Sequence, residues 1–116
     1  MEHIINRAEY MDLDDALPRV GGNLGLYKRL LGRFVEGNHL ESLVDALVSG
    51  DIEEAKRQAH SLKGVSANLS LAKIRTITVD LEQLLKDGGD YAAALGDLQV
   101  AYATTTEIIT ETLSES

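Results

Sequence analysis

Apolar residues recur at every third or fourth position along most of the chain, a spacing that places them on one face of a helix. No stretch alternates apolar and polar residues over several β-branched positions, so the pattern predicts no strand. Caps and turns divide the chain into six helical segments, at about residues 12–19, 23–36, 40–48, 51–69, 71–86 and 91–113. Because short connections join long amphipathic segments, we expect an all-α, antiparallel, up-and-down four-helix bundle with a short additional N-terminal helix.

Helix-capping and helix-breaking residues set the segment boundaries. Asn23 caps the second segment, Gly37-Asn38 bends or breaks the chain before the third, and Asp51 caps the fourth. Two stripes of residues are predicted to face the core. The stripe of the second segment is Leu26, Leu30, Phe34 and Val35. The stripe of the fourth segment is Ile52, Ala55, Ala59, Leu62, Ser66 and Leu69.

The composition is typical of a small helical domain and excludes several classes of function. A chain of 116 residues is expected to form a single domain over residues 1–116, with residues 1–11 loosely ordered. Tryptophan is absent and phenylalanine occurs once, so Leu, Ile, Val and Ala are expected to fill the core. Because the chain has no cysteine, disulfides, thiol catalysis and thiolate metal sites are excluded.

The charge balance and the absence of long apolar runs limit the partners. A formal net charge of -8 argues against a nucleic-acid partner, because phosphate backbones are bound by clustered lysines and arginines. The sequence shows neither a leader pattern nor an apolar run long enough to span a membrane. We therefore expect a cytoplasmic, monomeric protein with no membrane partner.

The fourth segment carries a second face, which bears a histidine. Lys56, His60, Lys63, Gly64 and Ala67 are spaced i, i+4, i+7, i+8 and i+11, so they share one side of the helix, away from the apolar stripe. An exposed glycine within a helix costs about 1 kcal/mol relative to alanine. The use of a glycine here is steric, because its missing side chain lets a partner approach the imidazole.

The residues around this histidine form a recognisable motif. A-H-S-L-K-G-V-S-A-N-L, residues 59–69, closely resembles the signature of histidine-containing phosphotransfer (HPt) domains. Similarity to the family pattern extends over roughly residues 13–100. It includes Phe34, S-G-D at residues 49–51 and the Leu81-Glu82 pair. Ser70 departs from the pattern, since the family usually has glycine there, at a position that ends the helix or lets helices approach.

This resemblance implies that His60 carries a phosphoryl group to and from the aspartate of a response-regulator receiver domain, with a hybrid sensor histidine kinase as a further partner. Neutral imidazole is a competent nucleophile and is available near pH 7. Lys63 is expected to attract the phosphoryl oxygens, with Lys56 as a weaker candidate, while Gly64 and Ala67 give access. Glu82 occupies a place where some family members bond the other ring nitrogen, so it is expected to orient the imidazole.

The sequence lacks a nucleotide-binding motif. Its glycine-rich stretch, G-G-N-L-G at residues 21–25, is interpreted as a helix stop followed by a cap. We therefore expect a phosphocarrier without kinase activity of its own, and not an enzyme. No cofactor is expected on this chain, since the resemblance places Mg²⁺ on the receiver.

Two other functions are compatible with parts of the sequence. Glu36 and His39 have the Glu-x-x-His spacing of di-metal bundles, but one such motif at a predicted bend is too few ligands, so no metal site is expected. His3 is assigned no role. The alternative function is a helical interaction module that docks a signalling partner without phosphotransfer. The sequence leaves open the identity of kinase and receiver, the signal, the direction of phosphate flow, and whether the domain is free-standing or part of a hybrid kinase.

Overall fold

The computed structural model describes residues 6–115, and within this range every regular element is an α-helix. The helices are α1 (Arg7–Tyr10), α2 (Leu13–Arg19), α3 (Leu24–Glu36), α4 (His39–Val48), α5 (Ile52–Asn68), α6 (Ala72–Asp87) and α7 (Ala92–Ser114). The predicted all-α class is confirmed. No helix in the described range is both long and apolar enough to cross a membrane.

Side-chain caps explain where three of the helices begin. The carboxylates of Asp12 and Asp51 and the amide oxygen of Asn23 each accept a hydrogen bond from the backbone N–H three residues later, at 3.0 to 3.2 Å. At Asn38 the backbone enters the left-handed region, with a φ of 53°, and the side chain forms no cap. The predicted break between α3 and α4 is therefore present.

Four arms make the bundle. Helices α3 and α4 together form the first arm, broken at Gly37-Asn38, and α5, α6 and α7 form the other three. Helix α5 packs against α4 and, most extensively, against α6, while α7 packs against α6 and α3. Because short loops join successive neighbours, α4 to α7 alternate in direction, as predicted.

Leucine, isoleucine and alanine supply most of the core. The valines, also expected there, are half-buried or exposed throughout the described chain. The largest fully buried aliphatic side chains are Leu31, Leu43, Leu62, Leu71, Ile74, Leu81, Leu98 and Ile109.

Only Phe34 is buried in the stripe predicted for α3, so the other three positions are wrong. Tyr27 and Leu31 are buried with Phe34, whereas Leu26, Leu30 and Val35 are only half-buried. The Tyr27 hydroxyl donates a hydrogen bond to the Leu69 carbonyl at 2.6 Å, so an inward-facing ring also has its polar tip satisfied. Periodicity alone could not choose between two adjacent leucines.

The N-terminal prediction is also wrong for the residues that the structure describes. Residues 6–11, expected to be loosely ordered, contain α1, which packs on α6 and α7. The Arg7 guanidinium donates to the Thr112 hydroxyl at 2.6 Å, and Met11 is buried in the core. Arg7 also donates to the Ile108 carbonyl and to the Glu115 carboxylate, so its contacts and the burial of Met11 attach this segment to the bundle. His3 lies outside the described residues.

The far end of α5 closes with a left-handed residue. Ser70 has a φ of 56°, the N–H of Leu71 donates to the Ser66 carbonyl at 2.8 Å, and the N–H of Ser70 donates to the Ala67 carbonyl at 3.2 Å. These two bonds form a Schellman motif, in which glycine is the usual left-handed residue. The serine hydroxyl donates to the Asp15 carboxylate at 2.7 Å, which links this helix end to α2.

Candidate functional site

Helix α5 separates a buried face from an exposed one. Its buried residues are the predicted Ala55, Ala59, Leu62 and Ser66, whereas Ile52 is 38% exposed at the first turn. Small residues on the buried face let α5 lie close to its neighbours. His60 lies on the other face, with 72% of its side chain exposed. The prediction of two distinct faces is confirmed.

Helix α6 supplies a contact to His60. Glu82 Oε2 lies 3.0 Å from His60 Nδ1, and the orienting role expected of Glu82 stays a prediction. An ionised carboxylate can only accept a hydrogen bond, so Nδ1 carries the proton and donates it. The opposite nitrogen, Nε2, then keeps its lone pair on a ring that is largely open to solvent.

Two lysines also contact this carboxylate. Lys63, one turn beyond His60 on α5, places Nζ 2.5 Å from Glu82 Oε1. Lys86, one turn beyond Glu82 on α6, places Nζ 3.7 Å from Oε2. Glu82 itself is only 5% exposed. A buried carboxylate is therefore surrounded by one imidazole and two ammonium groups.

The environment of Glu82 keeps its carboxylate ionised. Burial is the largest single influence and acts to raise the pKa of Glu82. Hydrogen bonds from Lys63 and His60, with the charges of Lys63 and Lys86, together outweigh burial, so the pKa of Glu82 lies below its ordinary value. The acceptor for the Nδ1 proton is therefore present at neutral pH.

Gly64 and Ala67, the residues predicted to give access, follow His60 by four and seven positions on α5. Gly64 is exposed, and a Cβ added there would meet no heavy atom within 4 Å. Ala67 is half-buried. Packing within the described part of the chain therefore does not require glycine at this position.

Lys56 occupies a different part of the same face. Its Nζ forms an ion pair with Glu53 Oε1 at 2.8 Å, one turn earlier on α5. The structure thus brings His60, Lys63 and Glu82 together, while the contact it gives Lys56 is with Glu53.

Sequence analysis missed Lys86. Its signal was present, because Lys86 follows Glu82 by four residues, and a glutamate four residues before a lysine pairs with it on a helix surface. Lys86 lies outside both the histidine motif and the Leu81-Glu82 pair, so the family pattern does not point to it.

The Glu-x-x-His motif has another explanation in the structure. The His39 ring stacks on Phe34, with ring centroids 5.1 Å apart, and burial lowers the pKa of His39. Glu36 is exposed. Within residues 6–115, no group of three or more His, Asp or Glu side chains is placed to hold a metal ion.

The fold and the site together define a class: a helical bundle that displays a histidine on an outer face, oriented by a buried carboxylate of the next helix. The chain belongs to the Hpt domain family, whose model matches residues 30–114. This match confirms the family resemblance found in the sequence. Searches of curated proteins and of solved structures gave no match.

Membership of the family gives the general role of the domain. Hpt domains take part in phosphotransfer in two-component systems, where they interact with response regulators and kinases. They are phosphocarriers rather than enzymes.

Proposed function

We propose that this protein is a phosphorelay intermediate, which carries a phosphoryl group on His60 Nε2 to and from the aspartate of a response-regulator receiver domain. The observation that carries the proposal is the 3.0 Å contact between Glu82 Oε2 and His60 Nδ1, on a side chain that is 72% exposed. This contact fixes the tautomer whose free lone pair lies on Nε2.

The transfer step is a displacement at phosphorus. The Nε2 lone pair attacks the phosphorus of the receiver's aspartyl phosphate, a P–N bond forms, and the P–O bond to the aspartate breaks. The aspartate leaves with the bonding electrons as a carboxylate, so no proton has to move. The ring keeps its Nδ1 proton and acquires positive charge, which the Glu82 carboxylate stabilises. Reversal of the same step returns the phosphoryl group to an aspartate.

Charge and access complete the role of the face. Lys63 is one turn from His60, so its ammonium can reach the phosphoryl oxygens, and Lys56 adds positive charge at the other side of the histidine. Gly64 and Ala67 leave room for the receiver surface. Mg²⁺ and the acidic pocket are assigned to the receiver, and the kinase activity to a separate hybrid sensor kinase, so this chain carries the group without catalysing its own phosphorylation from ATP.

Chemical phosphorylation tests the assignment of His60. We expect phosphoramidate to give an acid-labile, base-stable label on the intact protein, and a phosphorylated receiver to give the same label. His60→Gln abolishes the label, because it removes the nucleophilic nitrogen, and the side chain is exposed, so the fold is kept. The helical circular dichroism signal stays near that of the wild type.

The matched control is His39→Gln, which removes a histidine that stacks on Phe34 and leaves His60 in place. It is expected to label normally. Label retained in His60→Gln, or lost only in His39→Gln, contradicts the assignment. An unlabelled wild-type protein that still binds a receiver would instead identify a docking module without phosphotransfer.

A further inference from the structure

Glu82 has a distinctive set of partners. Its two oxygens are occupied differently, since Oε1 contacts Lys63 Nζ at 2.5 Å, whereas Oε2 contacts both His60 Nδ1 at 3.0 Å and Lys86 Nζ at 3.7 Å. The two lysines approach from different helices. Lys63 is 31% exposed and Lys86 is 53% exposed, whereas the Glu82 side chain is 6% exposed.

Phosphorylation of His60 would create a competing partner for Lys63. A protein-bound phosphoryl group carries about two negative charges at neutral pH and three strong acceptor oxygens. Lys63 lies on the same helix face as His60, one turn away, so the group that now neutralises Glu82 Oε1 is also available to the phosphoryl oxygens. A lysine that turns to the phosphoryl group leaves the buried carboxylate with less positive charge, just as negative charge arrives beside it.

Lys86 is placed to supply the positive charge that the Glu82 carboxylate would then lack. It contacts the same oxygen that accepts the His60 proton, and it is anchored on α6 one turn from Glu82, so its position does not depend on the movement of Lys63. We propose that Lys86 is a positioning residue, which holds the Glu82 carboxylate against His60 Nδ1 when Lys63 engages the phosphoryl group. This role rests on the proposed phosphorylation of His60, and it acts through Glu82 without contact to the transferred group.

The first test needs no phosphorylation, because Lys63→Gln imitates the departure of Lys63 from Glu82. The Glu82 carboxyl group is titrated by ¹³C NMR in the full chain. In the Lys63→Gln background, adding Lys86→Gln is expected to raise the midpoint pH of Glu82 by about 0.5, the shift that corresponds to a partly exposed ion pair. In the wild-type background the same substitution has a smaller effect, because Lys63 still neutralises Oε1.

Lys73→Gln is the matched control. Lys73 is an exposed lysine of α6 more than two turns before Glu82, so its removal changes the net charge equally without touching the site. It is expected to leave the Glu82 midpoint in place. Equal shifts for Lys86→Gln and Lys73→Gln in the Lys63→Gln background would overturn the proposal, since Lys86 would then act only as distant charge.

The second test measures the rate of His60 phosphorylation by phosphoramidate. Lys86→Gln is expected to slow it about two- to five-fold, and Lys86→Arg to restore it, because arginine keeps the charge beside Oε2. A wild-type rate in Lys86→Gln, or failure of Lys86→Arg to restore the rate, contradicts the positioning role. Absence of any label on the wild-type protein refutes the proposed function itself, and the NMR titration remains a separate measurement.

Discussion

At the scale of single residues, the site depends on differences in exposure between neighbouring groups. His60 is largely exposed, while the carboxylate that holds its Nδ1 proton is buried, at 5% exposure. A hydrogen bond to a buried carboxylate is stronger than one in water, so this contact favours one orientation of the ring. The nitrogen that is proposed to react, Nε2, lies on the exposed side of the ring. The site therefore combines a rigid inner contact with an open outer one.

Gly64 provides a test of the open side. Gly64→Leu is expected to leave the fold intact and to stabilise it by up to about 1 kcal/mol, because leucine has the higher helix propensity and an added Cβ meets no heavy atom within 4 Å. Transfer from a phosphorylated receiver is expected to slow, since the new side chain stands beside His60 where the receiver must approach. Chemical denaturation and a transfer assay measure the two effects.

The control for this prediction is Gly96→Leu on α7, another helical glycine whose added Cβ has nothing within 4 Å. It is expected to change stability without affecting transfer. Wild-type transfer in a folded Gly64→Leu variant would mean that the glycine has no steric role.

Sequence analysis reached His60, Lys63 and Glu82 because each carries a local signal. The first two share a motif and a helix face, and Glu82 follows a leucine at a family position. The sequence could not show that Glu82 is buried or that it contacts Lys63. Both depend on how closely α5 and α6 pack. Small buried residues such as Ala55 and Ala59 permit that close packing, and their spacing indicates a face without giving a distance.

At the scale of elements, the end of α5 shows how local geometry and tertiary contacts compete. Ser70 adopts the left-handed conformation that favours glycine, which costs a residue with a side chain about 1 kcal/mol. Its hydroxyl offsets this cost through the 2.7 Å hydrogen bond to Asp15, and this bond is the leading cause that lowers the pKa of Asp15. The departure from the family pattern thus has a compensating contact.

Replacing Ser70 separates the two contributions. Ser70→Ala is expected to destabilise the fold by about 1 kcal/mol, because it loses the bond to Asp15 and keeps the strained backbone. Ser70→Gly loses the same bond but relieves the strain, so it is expected to be about 1 kcal/mol more stable than Ser70→Ala. Chemical denaturation of both variants measures the difference. A glycine variant no more stable than the alanine variant would show that the left-handed backbone imposes no cost.

The elements themselves were predictable to different degrees. The helix starts at Asn23 and Asp51 were predictable, because a cap side chain bonds a backbone N–H only three residues away. The break at Gly37-Asn38 was predictable from the same local residues. The buried face of α3 was not predictable from periodicity, since Leu30 and Leu31 are adjacent and both fit a helical stripe. Tyr27 selects between them through its bond to the Leu69 carbonyl, a contact between residues 42 positions apart.

At the scale of the whole molecule, that tyrosine links the first arm of the bundle to the end of the histidine helix. Burial, the largest influence, raises the pKa of Tyr27 to about 12 from an ordinary value of 10.0, with the charges of Asp12 and Asp15 acting in the same direction. The folded state therefore favours the neutral phenol more than the unfolded state does. Its contribution to stability is complete below pH 10.0 and is lost as the pH rises towards about 12.

The stability of the fold is accordingly expected to fall by about 2 to 3 kcal/mol between these two pH values through Tyr27 alone. Tyr27→Phe is less stable than the wild type at neutral pH by about 1 kcal/mol, because it lacks the hydrogen bond to Leu69. The variant loses less stability than the wild type as the pH rises, since no phenol is left to ionise at this position. Denaturation curves at several pH values give the stability of both proteins. An equal loss of stability in the two proteins would show that Tyr27 is not the group responsible.

Under the proposed function, the position of His60 on the outer surface of α5 would also impose an order on signalling. One imidazole on one helix face can meet one aspartate at a time, so a donor and an acceptor cannot occupy it together. The two half-reactions must then alternate, with partner exchange between them, which is the ping-pong scheme of covalent carriers. Unphosphorylated acceptor in excess would compete with the donor, so the flux through the relay follows the ratio of the two partners as well as their affinities.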